Sequence, residues 1–487
     1  MILPADRCGT GSGCYPLCEQ IVPTSRLWDL PVGRKYSLWQ RLSPPQLFVG
    51  SFALLVMVGT LGLKFLPGLY VSQPLNWLDA LFTATSAVCV TGLIVEDTAG
   101  YFTTLGQLYL LLLIQLGGLG MLTFTSLVVI AIGGRLSLRQ ESLSAGSPIE
   151  LSHHRLDPRH LLLDVIRFTL AFEAFGAVSL YALWAPQLGW ENAAWPAVFH
   201  SVSAFCNAGF STYSDSLIGF QRSPATLAVI STLIVAGGIG FLAWEELVLW
   251  FDNRRLSRRF RLSLHTQLVF VASAVLIFLP WPLFTWLEWN ASLKDLPPFH
   301  KLTNGLFLSI TARTAGFNSI DYQQATEAGN FLTILLMSIG GSPGGTAGGM
   351  KTTTIALLLI LAWSRLQGEE IASLGGRSLR KETTDRAVGL AVIAFALMTA
   401  GILALAVTER NTTRGNFEDR MFEAVSAFNT VGLTTGQTSH LSSGGRIVVI
   451  GLMFLGRVGP LVLAAALTRH RRIASRFRYA YEEVAVG

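Results

Sequence analysis

Four phrases in the chain repeat one arrangement of small, hydroxyl-bearing and glycine residues: Ser86-Ala-Val-Cys-Val-Thr-Gly92, Ser203-Ala-Phe-Cys-Asn-Ala-Gly209, Ile310-Thr-Ala-Arg-Thr-Ala-Gly316 and Ser426-Ala-Phe-Asn-Thr-Val-Gly432. Each glycine is followed by Leu or Phe, and the spacing between phrases is nearly even. None of them pairs a nucleophile with a base, or sets histidine and cysteine at metal-ligand spacing, so the chemistry on offer is that of the backbone. Glycine reaches positive φ without a Cβ clash and lets neighbouring carbonyls turn to one side. Four such loops brought together would present a cage of carbonyl oxygens able to replace the water around a monovalent cation. The residues assigned to that cage lie at and just before each glycine: Val90, Thr91 and Gly92; Asn207, Ala208 and Gly209; Thr314, Ala315 and Gly316; Thr430, Val431 and Gly432. A single glycine of this kind is more simply read as close helix packing. Four in register are not.

A carbonyl cage needs elements that hold irregular backbone inside a bilayer, and the composition supplies them. Hydrophobic residues make up 51% of the 487-residue chain and charged residues 14%, with mean hydropathy +0.49, the balance of a polytopic membrane protein. The net charge of +6 does not indicate nucleic acid, because the basic residues cluster between apolar spans. A span of roughly 20 residues, enough to cross a bilayer, precedes each phrase, at 46–66, 162–184, 267–289 and 387–409. A shorter amphipathic stretch follows, at 78–88, 195–205, 302–312 and 421–428, and a second span after the glycine, at 108–132, 227–250, 331–360 and 447–467. The expected fold is an all-α membrane protein of four tandem helix–pore loop–helix repeats, with eight transmembrane helices around a pseudo-fourfold axis.

The boundaries follow from these runs. A tail at 1–45 precedes repeat 1 at 46–132, a linker at 133–161, repeat 2 at 162–250, a linker at 251–266, repeat 3 at 267–362, a linker at 363–386, repeat 4 at 387–467 and a tail at 468–487. Basic residues mark the linkers: Arg135, Arg139, Arg155 and Arg159; Arg254, Arg255, Arg258, Arg259 and Arg261; Arg365, Arg377, Arg380, Lys381 and Arg386. Arg469, Arg471, Arg472, Arg476 and Arg478 follow in the last tail. Connections within the first three repeats are nearly free of them, so linkers and both termini are expected in the cytosol of a multi-pass protein of the cell membrane. The first tail carries Cys8, Cys14 and Cys18 and lacks a signal-peptide core; Cys89 and Cys206 lie in the phrases, and all five read as reduced or buried thiols.

Below the glycines the repeats diverge. The second spans of repeats 1 and 2 contain Gly117-Gly-Leu-Gly120 and Gly237-Gly-Ile-Gly240, whereas the third contains Gly340, Gly341, Ser342, Pro343, Gly344, Gly345, Thr346, Ala347, Gly348 and Gly349 ahead of Lys351. No helix continues easily through that run, so a broken helix is expected at 339–351. Met350 separates Gly349 from Lys351, which removes the Gly-Lys-Thr of a phosphate-binding loop. The fourth repeat has Arg457 where the first two have a second glycine. An arginine at membrane depth faces a cavity or a partner. Arg457 is read either as an electrostatic barrier touching carbonyls of 340–349 or as a structural arginine on helix-end carbonyls. Lys351 reads as a gating or a snorkelling lysine, and Glu173 and Arg313 as a buried pair or transport groups. Glu96, Asp97, Asp215 and Asp321 follow three of the glycines; they read as acids that concentrate cations at an outer mouth, or as solvated loop residues.

These residues, from Leu47 to Arg469, resemble the Trk/Ktr/HKT superfamily of potassium transporters, closest to the KtrB-type membrane (pore) subunit. The resemblance implies one filter glycine per repeat, at Gly92, Gly209, Gly316 and Gly432, with potassium as the transported ion; some plant relatives with serine in the first loop prefer sodium. It also implies that 340–351 is an intramembrane gating loop, that sodium is a candidate activator, and that the chain works as a homodimer beneath which sits a cytosolic KtrA-like ring of nucleotide-binding subunits. No nucleotide is expected on this chain, which has no dinucleotide fingerprint, and no enzymatic activity. The alternative weighed is the potassium-translocating subunit of a P-type ATPase, built on a related fourfold plan.

Overall fold

In hydrocarbon every backbone group must be satisfied within the protein, which favours helices wherever the chain is apolar. The computed structural model describes residues 44–133, 158–255, 261–369, 372–374, 377–410, 415–459 and 462–463, and helix is its dominant element. The strands among these residues are a two-residue ladder, Ser373–Leu374 with Arg377–Ser378, a departure from the all-α expectation confined to the linker at 363–386. Cys8, Cys14 and Cys18, Arg135, Arg139, Arg155, Arg258, Arg259 and the arginines of the tail at 468–487 lie outside the described residues.

Fifteen helices longer than one turn are described. They are α1 Pro44–Phe65, α2 Trp77–Val88, α3 Thr104–Gly133, α4 Pro158–Leu188, α5 Trp190–Cys206, α6 Pro224–Ile239, α7 Phe241–Arg255, α8 Leu264–Phe278, α9 Pro280–Leu287, α10 Pro298–Thr311, α11 Glu327–Met337, α12 Thr352–Leu366, α13 Lys381–Thr408, α14 Phe417–Phe428 and α15 Ser443–Val458. Among the described residues, five helical stretches are long and apolar enough to cross a membrane: Pro45–Phe65, Thr104–Met121, Leu163–Leu188, Leu264–Leu287 and Lys381–Thr408. At 1.5 Å per residue, α1 rises about 33 Å, the thickness of the hydrocarbon core. Its Leu54, Met57 and Leu61, and Phe395 and Leu403 of α13, are exposed, as lipid-facing side chains are.

The span expected over 227–250 is formed by two helices rather than one. The chain bends by 98° between α6 and α7, at Gly240, whose φ is +93°. The physical reason lies in the third repeat, whose glycine-rich segment occupies the place a straight helix would take; Phe241 N–H donates to Gly344 O at 3.1 Å. That third segment is itself interrupted, between α11 and α12. Helix α15 ends at Val458 before Gly459, whose φ is +83°.

Four short helices, α2, α5, α10 and α14, are the buried ones. Phe82, Phe199, Phe205, Phe307 and Phe422 on them are fully covered. Apolar clusters pack each short helix against the long helices beside it and against a neighbouring unit, as where Phe307 joins Phe205 and Ile234, or Phe82 joins Phe428 and Met453. The same joint is built twice at helix ends: the Glu288 carboxylate accepts from Thr326 N (3.0 Å) and Oγ1 (2.7 Å), and that of Glu409 from Ser442 N (3.1 Å) and Oγ (2.6 Å). Each ties the end of one helix to the N-cap of the helix that follows the intervening short one, α9 to α11 and α13 to α15.

Candidate functional site

Each short helix ends in one residue of left-handed backbone, and these are the residues two before the glycines: Val90 (φ 56°), Asn207 (58°), Thr314 (67°) and Thr430 (51°). In the first loop Val90 N donates to Ala87 O (3.1 Å) and Thr91 N to Ser86 O (2.8 Å), and the second and fourth loops repeat the pair through Asn207, Ala208, Thr430 and Val431. This is the Schellman closure of a helix, but with β-branched or amide side chains where glycine is usual. For Val or Thr that conformation is strained, of order 1–3 kcal/mol each, and it persists only where the surroundings enforce it. Hydroxyls behind the loops do part of the enforcing. Ser86 Oγ accepts from Gly92 N and Ser426 Oγ from Gly432 N, both at 3.1 Å; Ser203 Oγ donates to Phe210 O (2.8 Å) and Thr311 Oγ1 to Phe317 O (2.7 Å).

The four loops close into a ring. A methyl group on Gly92 would lie 3.2 Å from Gly209 Cα, one on Gly209 2.8 Å from Gly316 Cα, one on Gly316 3.3 Å from Gly432 Cα, and one on Gly432 3.1 Å from Gly92 Cα. The nearest oxygen to each such methyl is that of Ala208, Ala315, Val431 or Thr91, the residue just before the next glycine in turn. Among the described residues none of these four carbonyls, nor those of the residues two before the glycines, accepts a hydrogen bond. Irregular backbone with unpaired carbonyls is tolerated inside a bilayer only where it is buried in protein or lines a water-filled cavity.

The segment 340–351 crosses directly beneath. Its ends are clasped, Gly340 N to Met350 O (2.8 Å) and Thr352 N to Gly341 O (3.0 Å), so the intervening residues protrude as a loop. On one side it docks on the α6–α7 break through Ser342 N to Gly238 O (2.9 Å) and Thr346 N to Gly237 O (3.1 Å). Across the ring, a methyl group on Gly349 would meet Asn429 Cα at 3.0 Å, and Gly348 faces the Thr430 hydroxyl. The loop thus runs from the second phrase to the fourth, which are diagonal neighbours in the ring. Arg457, fully buried, donates to Thr346 O and, at 3.0 Å, to Gly117 O. Lys351 Nζ donates to Ala347 O at 2.6 Å, within the loop.

Glu173 and Arg313 do not form a pair. The Glu173 carboxylate accepts from Gln115 Nε2 (3.1 Å), and Arg313 donates to Ser273 O and Oγ at 3.5 and 3.4 Å; each has its own helix partner, which the linear sequence could not reveal. Of the loop acids, Asp97 caps a single turn, accepting from Ala99 N and Gly100 N (3.1 Å each), and accepts from Ser214 Oγ at 2.6 Å. Asp321 accepts from Gln323 N and Gln324 Nε2, both at 3.0 Å. Asp215 lies near Tyr213, whose hydroxyl burial pushes up to about 12, with the Asp215 charge adding to the effect. Glu96 is partly exposed in the same region as Asp97. Sequence reasoning missed Glu423 on α14, fully buried and accepting from the hydroxyls of Thr434 and Thr438. Its signal was a carboxylate one turn before Ser426, within the run Phe422–Phe428 that is otherwise free of charge. Cys89 and Cys206 are free and buried.

The sequence matches the family described as TrkH, cation transport protein, over residues 45–474. It is 36% identical over 453 residues to the potassium/sodium uptake protein NtpJ of Enterococcus hirae, across 92% of this chain and 98% of that one. It is 37% identical over 429 residues to the Ktr system potassium uptake protein B of Vibrio alginolyticus, across 87% and 91%. In fold it is similar to the solved structure of the potassium transporter TrkH from Vibrio parahaemolyticus, with a TM-score of 0.69 at 18% identity over 89% of this chain and 87% of that one.

Proposed function

The chain belongs to the TrkH family of cation transport proteins, and from that premise we propose that it is a regulated, channel-like pore for potassium uptake across the cell membrane. The observation that carries the reading is the closed ring of Gly92, Gly209, Gly316 and Gly432 with the carbonyls of Thr91, Ala208, Ala315 and Val431 turned toward it. In this reading the residues from Val90, Asn207, Thr314 and Thr430 to the four glycines are the selectivity filter, one loop from each of four tandem repeats. Eight crossings result when the interrupted segments are each counted once. The C-terminal ends of α2, α5, α10 and α14 aim their negative dipole ends at the ion.

The loop 340–351 is the gate, held beneath the ring by Arg457. A cation leaving the filter meets both the glycine-rich backbone and a guanidinium, so passage requires the loop to move. Glu96, Asp97, Asp215 and Asp321 lie on the outer side, where their charge raises local cation concentration. Linkers and termini are cytosolic, by the distribution of basic residues. The protein acts as a homodimer with a cytosolic nucleotide-binding regulatory ring of KtrA type, and sodium stimulates uptake. The names of the relatives, potassium/sodium uptake and Ktr system potassium uptake, support the choice of ion.

Rescue of a potassium-uptake-deficient bacterium at limiting potassium, with and without sodium and with a regulatory ring supplied, tests this. Growth is expected with wild type. No growth despite protein in the membrane would overturn the proposal.

A further inference from the structure

The residues two before the four glycines differ in what their side chains reach. Val90 is apolar, and the hydroxyls of Thr314 and Thr430 have no partner among the described residues. Asn207 is tied in three directions. With its amide oriented so that every polar atom is paired, its nitrogen donates to Ala204 O on α5 and Ile234 O on α6, at 3.2 Å each, and its oxygen accepts from the Thr346 hydroxyl at 3.1 Å. Asn207 is therefore joined at once to its own short helix, to the helix behind it and to the tip of the loop below. Its backbone is left-handed and its carbonyl belongs to the unpaired set at the ring.

Thr346 is the matching centre on the loop. Its N–H donates to Gly237 O at 3.1 Å, its carbonyl accepts from Arg457, and its hydroxyl lies between Asn207 and Phe205 O, 3.2 Å away. The loop cannot leave the axis without breaking all three contacts. When the last breaks, the amide oxygen of Asn207 loses its donor in a buried site, a cost that drives the side chain to find another partner. Asn, unlike Val or Thr, crosses readily between left-handed and ordinary backbone. Its carbonyl is then free to turn.

We propose that Asn207 is a positioning residue that couples ion selection to the loop: the bond to Thr346 sets the orientation of the second filter strand, so the ring adopts one carbonyl geometry with the loop docked and another with it displaced. This rests on the filter reading above and goes beyond it, since a loop that merely blocks the axis would change how much passes but not which cation.

The test uses purified full-length protein in vesicles, measuring potassium uptake alone and against competing sodium. Thr346→Val removes the hydroxyl with little change in shape; Thr346→Ser keeps it. Thr346→Val is expected to change potassium-over-sodium discrimination by about fivefold, the worth of one ordinary hydrogen bond, alongside any change in flux. Thr346→Ser is expected to restore the ratio toward that of wild type. Should the valine variant fail to insert, Thr346→Ala makes the same test. Altered flux with an unaltered ratio would overturn the coupling, as would a serine variant that loses discrimination as fully as the valine one. A wild-type protein that passes potassium without discriminating at all would instead overturn the filter assignment itself.

Discussion

Arg457 occupies the position that Gly118 and Gly238 hold on the corresponding helices, and it is entirely shielded from solvent. No carboxylate forms an ion pair with it among the described residues. Its charge is met only by the carbonyls of Thr346 and Gly117. Carbonyls satisfy the donors without cancelling the charge, so in the proposed reading the guanidinium both pins the loop and repels a cation beneath the ring. Arg457→Gln keeps a donor and removes the charge, and is expected to raise potassium flux at least several-fold in vesicle uptake; unchanged kinetics would refute the barrier. At the ring itself, Gly92 has φ +93° and faces Ala208 O and Gly209 Cα. Gly92→Ser must strain the backbone or push the second loop aside, of order 1–3 kcal/mol. Potassium-over-sodium discrimination is expected to fall by about tenfold in competition uptake, since each 1.4 kcal/mol is a factor of ten. An unaffected ratio would argue that the first loop contributes no carbonyl to selection.

At the scale of elements, the interruption of the third helix is legible in the sequence because Pro343 and the surrounding glycines oppose helix on intrinsic grounds. The bend between α6 and α7 is not. Gly237-Gly-Ile-Gly240 and Gly117-Gly-Leu-Gly120 are nearly the same words, yet α3 runs unbroken through Gly120 to Gly133 while the second helix turns by 98° at Gly240. The difference is tertiary: the loop of the third repeat lies against Gly238 and Gly240 and supplies Gly344 O to the first amide of α7. The four short helices and their glycines were readable for the opposite reason, being local signals repeated in register. Gly240→Ala tests the joint. A methyl group there would come within 2.7 Å of Pro343 O and would sit at positive φ, so the loop and α7 must separate. Lower thermal stability in detergent, by about 1–3 kcal/mol, and raised basal flux are expected together. Lost stability with flux unchanged would mean that α7 and the loop are not mechanically joined.

At the scale of the molecule, a ring made by one chain has a covalent link between each successive pair of loops and none between the fourth and the first. That seam must be closed by side chains, and pairings of that kind leave no trace in periodicity or composition. Arg446, on the first turn of α15, forms an ion pair with Asp79 on the first turn of α2, 367 residues away, and also donates to Ser439 O at 3.3 Å. Asp79 is nearly buried and accepts a second bond from Asn76 Nδ2 at 2.7 Å, while its position at a helix N-terminus favours its charge. Because both groups are largely removed from water, deleting one strands the other, at a cost of roughly 3 kcal/mol. Arg446→Gln should therefore lower the unfolding midpoint of the purified protein and, by loosening the seam between the first and fourth loops, weaken discrimination between potassium and sodium. Adding Asp79→Asn should recover much of the stability, since the stranded charge is then gone, but not the discrimination, since the seam stays open. Losses that simply add in the double variant would mean that the two residues stabilise the fold separately and that the ring is closed elsewhere.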